Sequence, residues 1–82
     1  MMNARQVPLA LAHENAKMAV TGVAGTRETQ KRLTEMGIFV GSELEVVRGC
    51  GHGPVVVAVG KTRLALGQDM CRRIFVTPIL NR

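Results

Sequence analysis

Polar and apolar positions alternate along Lys17-Met18-Ala19-Val20-Thr21-Gly22-Val23, which predicts a strand with Met18 and Val20 on one face. Thr26 then stands where a helix N-cap belongs, and the following residues, 27–36, carry apolar Leu33 and Met36 at i,i+3 spacing. Glu28 in the first turn suits the helix dipole and lies four residues before Arg32. Gly37 fits the position just past the last turn. Glu43-Leu44-Glu45-Val46-Val47-Arg48 alternates again, with Leu44 and Val46 inward, and Val55 to Val59 is a run of β-branched residues broken only by Ala58. Gly60-Lys61 turns the chain into Thr62-Arg63-Leu64-Ala65-Leu66, which Gly67 ends. Residues 68–73 are too few for a stable helix and predict a 3-10 turn. Ile74 to Thr77 reads as a last strand, stopped by Pro78. Residues 1–12 show little periodicity and are interrupted by Pro8, so they predict a loose arm with one helical turn near residues 9–15.

Five short strands, tight turns and one short α-helix predict a mainly β fold, a small closed or half-closed barrel. A flexible arm over 1–15 and one domain over 16–80 account for all but the last two of the 82 residues. Composition narrows the interior: there are two phenylalanines and no Trp or Tyr, so the core must be aliphatic. No apolar run approaches the roughly 18 residues a membrane helix needs, and residues 1–12 lack the continuous apolar stretch of a signal peptide. Two cysteines cannot build a disulfide scaffold, which makes a reduced, cytoplasmic chain the default. Lys61, Arg63, Arg72, Arg73 and Arg82 against Asp69 place +4 of the net +5 in the last 22 residues. Such a face fits an acidic partner, or simply a solvated surface.

Little in the chain supports chemistry. His13 falls in the arm and His52 in a glycine-rich loop, and no second group is placed to orient either as an acid or base. The reading is therefore not an enzyme. Cys50-x-His52 offers two ligands of the right type for a divalent ion such as Fe²⁺ or Zn²⁺, and flanking glycines let them converge, but a structural zinc site usually has four. Cys71 is most simply a small buried hydrophobe. Gly49-x-Gly51-x-Gly53 is followed by Pro54 and a β-run where a phosphate loop would need a helix N-terminus. A nucleic-acid-binding barrel would stack bases on exposed aromatics, and Phe39 and Phe75 are too few and too scattered for that.

From Arg32 onward the order of residues resembles a known family. Arg32-Leu33-Thr34-Glu35-Met36-Gly37-Ile38-Phe39-Val40-Gly41-Ser42-Glu43-Leu44-Glu45-Val46 is similar to the R-L-x-E-M-G-I-x-x-G-x-x-V-x-V core of the FeoA family, the small ferrous iron transport protein A. Gly53-Pro54-Val55 resembles that family's opening of the next strand. Leu64-Ala65-Leu66-Gly67, then Met70-Cys71, Ile74 and Val76, resemble its ending, with Cys71 where a small alanine is typical. The resemblance runs from about Met18 to Val76 and leaves the arm outside it. It implies an SH3-like barrel, here five-stranded, and a cytoplasmic accessory that docks on the cytosolic GTPase region of the FeoB membrane iron transporter. It also implies an association with transition metal ions, with no required cofactor. Leu33, Met36, Gly37, Ile38, Gly41, Gly53, Pro54, Leu66 and Gly67 carry the motif and are architectural in this reading. Candidate docking elements are the 49–54 loop, a groove near helix 27–36, and the basic residues Arg63, Arg72 and Arg73. Cys50 and His52 remain the candidate metal ligands. The alternatives are a metal-responsive module acting through those two residues and a basic nucleic-acid-binding barrel. No nucleic-acid partner and no membrane insertion are expected, and self-association is left open.

Overall fold

A computed structural model describes residues 6–49 and 53–79. The chain runs through β1 (Val7–Pro8), a 3-10 turn (Leu9–Leu11), β2 (Lys17–Val23), α1 (Arg27–Glu35), β3 (Glu43–Arg48), β4 (Val55–Val59), β5 (Thr62–Leu66), α2 (Gln68–Cys71) and β6 (Ile74–Pro78). The strands form one antiparallel sheet in the order β1-β6-β2-β3-β4-β5. β4 and β5 are joined by the two-residue hairpin at Gly60-Lys61, with Val59 opposite Thr62.

Two irregularities curl this sheet. The register of β2 on β6 slips between Val20 and Gly22, and that of β3 on β4 slips between Val46 and Arg48. Each slip leaves one extra residue on one strand, which bends it and sharpens its twist. At the first, Thr21 Oγ1 donates to the carbonyl of Phe75 at 3.3 Å. The buried positions follow the alternation: Met18 and Val20 on β2, Leu44 and Val46 on β3, Val55 and Val57 on β4, Ile74 and Val76 on β6. Leu33 from α1, Ile38, Leu66 and Cys71 complete an aliphatic core with no buried polar side chain among the described residues.

The structure corrects the expected fold in three places. Residues 7–12 are not part of a flexible arm: Val7 pairs with Val76, Pro8 with Phe75, and Leu9 and Ala12 are buried in the core. A proline is tolerated there because β1 is an edge strand, where a missing N–H leaves no ladder bond unmade. Among the described residues the sheet therefore has six strands where five were expected, and its ladder does not close into a barrel. α2 connects β5 to β6 and packs on the 3-10 turn that follows β1. Finally, residues 68–71 form a single α-turn where a 3-10 turn was expected, with Gly67 as its N-cap.

Candidate docking site

α1 begins as the sequence predicts, with the Thr26 hydroxyl accepting from the Thr29 N–H at 3.2 Å. It ends at Gly37, whose φ of 91° is open to glycine and costly for other residues. A Cβ there would also approach Val59 Cγ1 to 3.1 Å. Past this stop the chain buries Ile38 and then turns sharply through Phe39, Val40, Gly41 and Ser42. That turn is anchored on both sides. The Gly41 N–H donates to the Val20 carbonyl, and the Val20 N–H donates to the Ser42 carbonyl, each at 2.9 Å. Ser42 Oγ accepts from the Phe39 N–H at 3.1 Å and donates to the Phe39 carbonyl at 2.8 Å.

The consequence is a fixed apolar lip. Phe39 is 46% exposed and Val40 64% exposed, side by side on a turn held by five hydrogen bonds, the Ser42 N–H also donating to the Phe39 carbonyl at 2.9 Å. Beneath them lies a depression of about 90 Å³ lined by Val23, Gln30, Thr34, Ile38, Phe39 and Val40. This is the groove near helix 27–36 that the sequence nominated, and Phe39 is more prominent in it than the scarcity of aromatics suggested. The signal available in the sequence was the apolar triplet Ile38-Phe39-Val40 between two glycines, of which a single tight turn can bury only part.

The other nominated residues divide. Gly41, Gly53, Pro54 and Gly67 lie at turns or strand and helix ends, and Leu33, Ile38 and Leu66 are core, with Met36 packed against it. Cys50 and His52 lie outside the described residues, but the flanks of their loop are tied down. Gly49 donates its N–H to Glu14 Oε2 at 3.2 Å, and the Gly53 carbonyl accepts from Gln68 Nε2 at 2.8 Å. Gly49 is there for closeness, since a Cβ would sit 3.0 Å from Val46 Cγ1 and 3.1 Å from the Ala12 carbonyl oxygen. Cys71 is fully buried, its thiol directed at the Leu66 carbonyl at 3.7 Å, and burial pushes its pKa up. Among the described residues no three His, Cys, Asp or Glu side chains converge to hold an ion.

The three arginines come from two elements of the fold. Arg63 stands near the start of β5, beside the hairpin, while Arg72 and Arg73 follow α2 beyond the far end of β5. Arg72 pairs with Asp69 at 3.8 Å, an exposed pair of the kind that contributes little. Arg73 reaches the start of α1: a Cβ built on Gly25 would lie 3.4 Å from its Nη1. A second depression of about 190 Å³, lined by Lys17, Glu43, Leu44, Glu45, Ala58, Gly60 and Ile79, lies on the β3–β4 side of the sheet.

With this geometry in view, known proteins place the chain. A sequence model of the FeoA domain matches residues 7–78. The chain belongs to the FeoA domain family. The match reaches back to Val7, so the β1 segment that the motif comparison left out is part of the family's domain. A protein of Methanocaldococcus jannaschii, provisionally named Fe(2+) transport protein A, is 33% identical over 69 residues, covering 84% of this chain and 83% of the relative. The crystal structure of an iron uptake regulatory protein, FeoA, superposes with a TM-score of 0.85 at 27% identity, covering 92% of this chain and all of that one. A manganese-dependent transcriptional repressor superposes at a TM-score of 0.83 and 18% identity over 44% of its length, which shows a shared fold. The FeoA domain here is thus a mainly β unit, as the strand pattern predicted, and SH3-like, as the family resemblance implied. Among the described residues no helix is long and apolar enough to cross a membrane.

Proposed function

We propose that this FeoA domain is an accessory of ferrous iron uptake that docks on the cytosolic GTPase region of a FeoB-type membrane transporter. The family match along residues 7–78 carries this reading, and the relative named for Fe(2+) transport gives it direction. The domain acts by contact. Its interior is aliphatic, its one described cysteine is buried, and the two depressions described above are smaller than the roughly 300 Å³ at which small-molecule pockets begin. The lip at Phe39-Val40 supplies a surface on which contact can be made.

The test is co-purification of the full chain with the cytosolic domain of the transporter from the same genome, followed by titration. Saturable binding at a 1:1 ratio is the expected result, together with slower Fe²⁺ uptake by cells lacking the protein. No binding under any salt condition, with uptake unaffected, overturns the reading.

A further inference from the structure

The lip and the charges around it together describe the segment it fits. Along α1, residues 27, 30, 31 and 34 fall at i, i+3, i+4 and i+7 and so share one stripe. Gln30 and Thr34 of that stripe line the groove; Arg27 and Lys31 precede them by one turn each. The acidic residues Glu28 and Glu35 fall on a neighbouring stripe with Arg32, at i, i+7 and i+4. Arg27 and Lys31 thus lie along the groove-lining stripe, with Lys31 also within one turn of Glu28 and Glu35. Arg73 adds a third cation at Gly25, one residue before the N-cap, and the helix dipole adds positive potential at the same end. Arg27, Lys31 and Arg73 are exposed, and none is in an ion pair among the described residues.

Resting on the docking role proposed above, we infer that the α1 groove binds an acidic, amphipathic segment of the partner protein, which seats one aliphatic side chain between Val23, Ile38 and Val40 and sets carboxylates against Arg27, Lys31 and Arg73. A space of about 90 Å³ equals the share of about three waters, which suits one aliphatic side chain. A helix rises 1.5 Å per residue, so the cations lie roughly 5–10 Å along α1 from its groove-lining end at Thr34, and the partner's acidic positions fall about one to two turns from its anchor. The rigid turn matters because a lip already held in place loses little freedom on binding. Phe39 closes the outer wall of the seat, excluding water from the anchor.

A labelled synthetic helix of about 18 residues, with leucines at i,i+4 and glutamates on the flanks, tests this against the full chain. Two matched peptides carry lysine for glutamate, or serine for leucine. The expected result is saturable binding of the first peptide, with amide NMR shifts confined to residues 23–42 and Arg73, and at least about tenfold weaker binding of each control. R27E/K31E should weaken it about tenfold and F39S/V40S at least as much, while K61E/R63E on the hairpin leaves it unchanged. Raising salt from about 50 to about 500 mM should weaken binding of the wild type more than that of R27E/K31E. Equal binding of all three peptides, shifts centred elsewhere, or insensitivity to F39S/V40S in a variant with a native amide spectrum overturns the inference. The transporter assay separates the two proposals. A transporter domain that binds F39S/V40S and R27E/K31E as it binds wild type leaves the docking role standing and removes this groove from it. Peptide binding without transporter binding does the reverse.

Discussion

Two short irregular segments meet the same sheet in opposite ways. Residues 7–12 follow one edge of it, pairing with β6 and burying Leu9 completely, while Leu11 alone is left 66% exposed. Residues 38–42 cross next to β2, bury Ile38 completely, and hold two adjacent apolar side chains outward beside a depression. A single exposed leucine is ordinary on any protein surface. A paired apolar lip on a turn pinned by the Ser42 hydroxyl is a different arrangement, because the same backbone bonds could have supported polar residues at no cost. The first segment covers the core; the second presents a surface.

The largest expected effect falls on the covering segment. Leu9→Ala removes a fully buried side chain and should cost about 2–5 kcal/mol, read as a lower urea midpoint with an unchanged slope. In so small a domain that is a large share of the total stability. A loss below about 1 kcal/mol would mean that residues 7–12 are not part of the cooperative unit, and the contrast between the two segments would collapse.

That segment is also where sequence reasoning fell short, for physical reasons. Two strand residues cannot display alternation, and Pro8 argues against a strand unless the strand is known to be an edge. Leu9 then sits in a 3-10 turn, whose three residues have no period to detect. β2 and β3 were legible because their buried residues alternate with polar or part-exposed ones, β4 because it is a β-branched run, and α1 because Thr26, Leu33 and Gly37 mark its start, face and stop. The lip was half legible: Ile38-Phe39-Val40 announced apolar residues near a turn, but which of them faces outward depends on the Gly41 and Ser42 bonds to β2. Cys50 and His52 lie outside the described residues, and their ligand role rests where the sequence left it.

An intermediate effect comes from α2, which packs on the covering segment and buries Cys71. Burial raises the thiol pKa in the folded state, so the unfolded chain loses its proton first as pH rises. Stability is therefore full below the ordinary thiol range near 8.5 and declines as pH climbs from there toward the folded pKa, with a limiting slope of about 1.4 kcal/mol per pH unit. Denaturation series between neutral and alkaline pH should show this decline in the wild type. The Cys71→Ala chain, less stable at neutral pH, should have lost the Cys71 part of it. Equal pH slopes in the two chains would show that Cys71 ionises as freely folded as unfolded.

The smallest effect on stability belongs to the presenting segment, and it is the one that tells coverage from display. F39S/V40S and Leu11→Ser each replace exposed apolar side chains and should leave the urea midpoint within about 0.5 kcal/mol of wild type. Their effects on association should part: Leu11→Ser leaves binding to the transporter's cytosolic domain unchanged, and F39S/V40S weakens it about tenfold. If both change binding equally, exposure alone decides and the groove has no special part. If F39S/V40S instead destabilises the fold by more than about 2 kcal/mol, the lip belongs to the core after all. The two segments would then cover the same interior from opposite sides.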